Sequence, residues 1–209
     1  MPTPATKAPA NETPTTGRGP RRLSRTARRR QLVDAAMPVV AERGLSDFSL
    51  DEVAAGADVT RNLLYHYFPR GRADVVVAVA EEAGHRLTGE WITDESVPLP
   101  ERIAANVGRM VEHAREPSDA WRIYQHARGS SDRELREAVD RFENLVIEAI
   151  SLNRLGTADP PPPARIALRG YLAFFGAALD EARARSMPAE ELLPLLNRTL
   201  AACLDAAEE

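Results

Sequence analysis

From Ser24 onward the apolar residues recur at helical spacing, and no stretch of useful length alternates with a period of two. That pattern confines the chain to an all-α fold. A first helix is expected over Arg25–Arg43, with Leu32, Ala35, Ala36, Val39 and Val40 on its apolar stripe. Pro38 inside it removes a backbone bond and predicts a kink, and Gly44 predicts a left-handed stop. Ser49 and Glu52 form a capping box for a short second helix that breaks at Gly56. A third short helix runs from Thr60 to Tyr67, and a longer fourth from Arg72 to Trp91. Three more follow, carrying Val107 and Met110, then Trp121 and Tyr124, then Phe142 and Val146. Ser131 and Glu134 serve as the capping box of the last of these. Four consecutive prolines, 160–163, precede two final helices over 164–184 and 189–206.

Several function classes drop out on composition. The apolar run Val75–Ala80 falls far short of the roughly 20 residues of a membrane span, and no signal-peptide pattern opens the chain. The single cysteine, Cys203, allows no intrachain disulfide and argues against a cysteine-built zinc site, so a reducing cytoplasm is the expected compartment. His66, His85, His113 and His126 sit at no metal-binding spacing, and no metal or cofactor is expected. No glycine-rich phosphate loop, HExxH or nucleophile elbow supports an enzyme. The net charge of −4 is unevenly spread. Residues 1–30 hold eight basic side chains against Glu12 alone, leaving −11 on the other 179 residues. A basic head joined to an acidic body suggests a polyanion partner for the head. Residues 1–22, rich in Pro, Thr, Ala and Gly, read as a disordered basic arm, either a passive tail or one that touches DNA.

Residues 49–68, SLDEVAAGADVTRNLLYHYF, pair a capped helix with a second short helix across a glycine-bearing turn, a helix-turn-helix pattern. Ala54 permits close approach, Val59 plugs the space between the helices, and Leu64 and Phe68 anchor the second from beneath. Thr60, Arg61, Asn62, Tyr65, His66 and Tyr67 are left for the outer surface or turn. Arg pairs bidentately with guanine and Asn with adenine, while Thr and Tyr hydroxyls suit phosphate oxygens. The competing reading is a helical protein–protein adaptor, for which this basic, aromatic face has no use.

RQLVDAA (30–36), ERG (42–44), SLDEVAAGADV (49–59) and LYHYF (64–68) resemble the DNA-binding domain of TetR-type transcriptional regulators. The resemblance covers residues 25–75. It implies an all-helical homodimer, usually a repressor, that binds a palindromic operator in double-stranded DNA and is released by a small-molecule effector. Matched position by position, it makes Thr60–Tyr67 the recognition helix, places Arg61, Asn62, Tyr65, His66 and Tyr67 where the family contacts DNA, and makes Ser49 a backbone contact; Arg28 of the basic head is a further candidate DNA contact. Many members carry a phosphate-contacting lysine where this chain has Gly71. Arg70, Arg72 or the Gly71 amide stands in for it.

The same resemblance divides the chain into residues 23–70, a three-helix DNA-binding head, and 71–209, a helical ligand-binding and dimerisation body. Leu168, Tyr171, Leu172, Phe175, Leu179, Leu192, Leu196, Leu200 and Cys203 form apolar stripes that pack either on the chain's own core or, as the resemblance implies, at a dimer interface, with small residues Gly170, Ala173, Gly176 and Ala177 allowing close approach. Val107, Met110, His113, Trp121, Tyr124, Gln125, Phe142 and Phe174 are the candidate pocket, each of which could equally be plain core. The fourth helix joins head to body and is the expected lever between them.

Overall fold

The computed structural model describes residues 23–89, 91, 94 and 96–208, so the expected basic arm lies outside the described residues. Within them the chain forms α1 (Arg25–Arg43), α2 (Leu50–Gly56), α3 (Arg61–Tyr67), α4 (Arg72–Gly89), α5 (Leu99–Arg115), α6 (Asp119–Arg128), α7 (Arg133–Leu155), α8 (Pro162–Ala184) and α9 (Ala189–Glu208). The protein is all-helical in the expected order. α1 runs unbroken through Pro38, and Pro194 falls in the second turn of α9 without ending it.

Local chemistry starts most of these helices. The Ser24 hydroxyl accepts from Ala27 N–H at 3.1 Å, and Ser118 from Trp121 N–H at 3.2 Å. At α2 the Ser49 hydroxyl accepts from Asp51 N–H, while the Glu52 carboxylate accepts from Ser49 N–H. Proline opens α8, where a missing N–H costs nothing. Two expectations shift. Asp132, not Ser131, caps α7, accepting from Glu134 and Leu135 N–H at 2.8 and 3.1 Å. Glu134 cannot fold back as a capping-box partner, because its carboxylate is engaged elsewhere. Gly44 ends α1 at φ +86 and ψ 168, a positive-φ conformation outside the left-handed helical region.

α1, α2 and α3 form a small head, with α1 packed on both α2 and α4. α4 leaves the head and packs along α6 and α7, while α1 also reaches α6. α8 pairs with α9, which in turn covers α5. The buried apolar side chains make one continuous core, from Leu32 and Met37 through Phe68, Leu87 and Ile147 to Leu196 and Leu204.

This packing places most of the stripe expected at a dimer interface in the chain's own core. Leu168, Tyr171, Phe175, Leu179, Leu192, Leu196 and Leu200 are buried within the single chain, and Leu172 and Cys203 are half-buried. α8 and α9 turn their most apolar stripes toward each other and the rest of the body. What remains outside is a different stripe: Ile166, Gly170, Ala173, Phe174 and Ala177 on α8, with Leu195 on α9. Ile166 is 72% exposed and Leu195 42%. Pro163, Ile166, Ala167, Cys203 and Ala206 line an open groove across both helices.

Candidate nucleic-acid interface and internal cavity

The turn between α2 and α3 is built differently from its sequence reading. Gly56 closes α2, and the positive φ of +52 falls on Asp58, a residue type that tolerates that conformation better than most. Gln31 of α1 steadies the turn by donating to the Ala57 carbonyl at 3.0 Å, and its amide oxygen accepts from Arg28 at 2.7 Å. Arg28 is thereby tied down at the edge of the head. Leu64 and Phe68 are buried beneath α3, and Val59 packs against the core, as expected.

α3 therefore shows its other face to solvent. Thr60 caps it, accepting from Leu63 N–H at 3.3 Å. Arg61, Asn62, Tyr65 and His66 are exposed, whereas Tyr67 is half-buried with its ring edge-on to His66. Arg61 donates to Asp51 at 2.9 Å and stacks over the Tyr65 ring at 5.7 Å. Both members of that pair are more than half exposed, so its net strength is small and Arg61 is free to exchange partners. The Asn62 amide makes no hydrogen bond to the described residues.

At the start of α4 each group that could replace the missing lysine already has a partner. Gly71 has φ +61, and its N–H is already bonded to the Phe68 carbonyl at 2.8 Å, so that amide is not on offer to a phosphate. Arg72 donates to the Ser46 carbonyl and lies over the Phe48 ring at 5.1 Å. Arg70 grips Asp74 at 2.7 Å and makes a two-pronged bond to Glu134 of α7, at 2.6 and 2.8 Å. The Arg70 guanidinium holds the Glu134 carboxyl below the usual carboxylate range. At Asp74 burial disfavours the charged form, but the Arg70 N–H and guanidinium outweigh it, and that carboxyl is lowered too. Each basic group expected at this corner is held by the protein's own oxygens.

Inside the body, α5, α6, α7 and α8 enclose a cavity of about 80 Å³. Five of the eight expected pocket residues line it: Val107, Met110, Trp121, Tyr124 and Phe142. The other three do not. His113 is not part of its wall, Gln125 donates to Asp180 at 3.4 Å, and Phe174 lies on the outer stripe of α8. Tyr171, Leu172, Phe175 and Leu200, read from sequence as dimer residues, are cavity wall instead. Trp91, Ile103, Asn106, Glu143, Val146, Ala149, Ile150 and Asn153 also line it, and none of them was among the expected pocket residues. Phe142, Val146, Ala149, Ile150 and Asn153 continue one face of α7, so extending the spacing from Phe142 finds them. Glu143 accepts from Arg169 at 2.8 Å and from the Tyr124 hydroxyl at 3.2 Å. Burial, with the Glu143 charge beside it, pushes the Tyr124 phenol above its ordinary value. The Phe142 ring also abuts α4, where a Cβ on Gly84 would lie 3.0 Å from it.

Among the described residues no group of three or more His, Cys, Asp or Glu could hold a metal ion, and no helix is long and apolar enough to cross a membrane.

Residues 32–79 match the family model of bacterial regulatory proteins, tetR family. The HTH-type transcriptional regulator BetI of Brucella canis is 32% identical over 133 residues, covering 59% of this chain and 66% of that protein. The chain thus spans just under two thirds of that relative's length. A tetR-family transcriptional regulator from Streptomyces coelicolor shares the fold with a TM-score of 0.72 at 23% identity, over 88% of this chain and 83% of that one. The multidrug binding protein EbrR, solved in complex with imidazole, aligns with a TM-score of 0.58 at 22% identity, over 82% of this chain and 94% of that one. The family match falls on the helices that carry Asn62 and Tyr65 outward, and the likeness of fold extends through the body; this protein belongs to the tetR family of bacterial regulatory proteins.

Proposed function

We propose that the chain is a DNA-binding transcriptional regulator of the repressor type, acting as a homodimer on a palindromic operator and released by a small molecule. Residues 23–70 read the duplex, and residues 71–209 hold the effector and pair the two copies. The observation that carries this reading is α3: a short helix anchored by buried Leu64 and Phe68, offering Arg61, Asn62 and Tyr65 to a major groove. The outward stripe of Ile166, Gly170, Ala173, Phe174 and Ala177 supplies the pairing surface. It is apolar, its small residues admit a close helix, and a two-fold axis matches it to itself.

The cavity is the effector site. Release follows from linkage: an effector that binds more tightly when the two heads are wrongly spaced weakens operator binding by that difference in affinity. Selection of bound duplexes from a random pool tests the reading. Two inverted half-sites with centres about 34–36 Å apart, or a multiple of that, are expected. Enrichment of single half-sites, or of none, would remove the symmetric reader from the account.

A further inference from the structure

Four buried side-chain polar atoms lack a hydrogen-bond partner among the described residues: Trp91 Nε1, Arg102 Nε, Tyr171 Oη and Asn197 Oδ1. Two of the four, on Trp91 and Tyr171, belong to residues that line the internal cavity. Arg102 is not part of its wall, and Asn197 borders a separate groove between α5 and α9. Tyr171 is only 2% exposed, so water cannot satisfy its hydroxyl from the surface. Folded proteins rarely leave such groups without partners, because each gives up its bonds to water and gains nothing in return.

The two groups have one need in common. An indole N–H is a donor only, and a phenol donates its single proton. Burial pushes the Tyr171 phenol above its ordinary value, and the nearby Cys203 thiol adds to the effect without making a hydrogen bond, so the hydroxyl keeps its proton at neutral pH. Both groups therefore lack an acceptor. The one carboxylate in the wall cannot serve a cationic ligand well: one oxygen of Glu143 is held by Arg169 and the other by Tyr124. Arg169 opposes its charge, while also donating to Asp140 at 3.3 Å. One N–H of the Asn153 amide is likewise spent, on the Ala149 carbonyl at 2.7 Å, and Asn106 brings a second neutral amide to the wall. The remaining surface is mainly aromatic and aliphatic.

Building on the reading of this cavity as the effector site, we infer that it takes an uncharged, largely apolar molecule of ring size whose oxygen acceptor, a ketone, ester or ether, receives hydrogen bonds from Tyr171 and Trp91. The hydrocarbon part fills the space against Trp121, Phe142 and Phe175, and the acceptor meets the donors that the fold leaves unmet. Cations are disfavoured because both oxygens of the one carboxylate in the wall are already engaged.

Four probes of matched size test this on the full chain: acetophenone, isopropylbenzene, 1-phenylethylammonium and benzoate. Binding is followed by calorimetry and by tryptophan emission, since both tryptophans of the protein line the cavity. Acetophenone is expected to bind about tenfold more tightly than isopropylbenzene and than either ion. Tyr171→Phe should bring acetophenone down toward isopropylbenzene while leaving isopropylbenzene unchanged. Because that substitution deletes an unpartnered hydroxyl, the thermal midpoint without probe should hold or rise. Tightest binding by the ammonium or by benzoate overturns the inference. So does an acetophenone preference that survives in both Tyr171→Phe and Trp91→Phe. If none of the four gives heat or a change in emission, the cavity's assignment as an effector site falls, and this inference with it.

Discussion

Gly71 sits at φ +61, and a Cβ there would lie 3.0 Å from the Tyr65 ring and 3.3 Å from Leu50. Any side chain must both adopt a disfavoured backbone and push Tyr65 off its place on the reading face. Gly71→Ala is expected to cost about 1–3 kcal/mol of stability, read from the urea midpoint, and to weaken duplex binding as well. On α3 the two polar readers should separate. Asn62 has no internal partner, so Asn62→Ala should leave stability unchanged and relax base preference at one operator position by about 1–3 kcal/mol. Arg61 starts from Asp51 and must leave it. Competition gel shifts on single-base operator variants measure both, and equal loss on every sequence would assign the side chain to phosphate. At this scale the sequence was informative about which residues face outward, because burial of Leu64 and Phe68 leaves the rest of α3 no other side. It was uninformative about internal partners. Nothing in the spacing of Arg70 and Glu134, 64 positions apart, shows that they meet.

α7 links the two ends of the protein. Its first turn carries Glu134, which holds Arg70 at the corner of the head, and about 12–18 Å further along its axis Phe142, Glu143 and Val146 form cavity wall. The sequence reading gave the coupling role to α4 alone. α4 is in contact with the cavity through Gly84 against Phe142, and α7 runs beside it as a second connection. Glu134→Gln should release Arg70 to phosphate. Duplex binding at low salt should tighten, and the slope of log affinity against log salt should steepen by about 0.9, one additional phosphate neutralised. An unchanged slope in a salt titration would show that Arg70 never reaches the backbone. The sign with pH follows from the lowered Glu134 carboxyl. The fork's contribution to stability is present above the ordinary carboxylate value of about 4.3 and is lost as pH falls through the lower folded value, so the glutamine variant should lose that acid-side decline. Helix order and most boundaries were legible because caps and prolines act within a turn of where they stand. Asp132, itself a strong capping residue, holds the cap in place of Ser131, and the pairing of Glu134 with Arg70 is a tertiary contact that no local pattern records.

Across the whole molecule, the apolar stripes of α8 and α9 announced that something packs on them but not what. A stripe that covers its own chain and one that covers a second copy share the same 3.6-residue period, and only the packing separates Leu196, fully buried, from Ile166, 72% exposed. The two should behave differently. Ile166→Glu is expected to leave the fold intact and shift the protein from dimer to monomer in sedimentation, with loss of binding to paired half-sites. Leu196→Ala should cost about 2–5 kcal/mol of folding stability. The cavity was half legible for a related reason: aromatic residues on middle helices mark an interior, but which wall they share depends on how α5 and α7 are turned. The core, meanwhile, passes from Leu32 in α1 to Leu204 in α9 without a seam. Heat should therefore melt head and body in one cooperative step. A molecule seated in the body at a hundred times its dissociation constant should then protect α3, which it never touches, by about 2.7 kcal/mol.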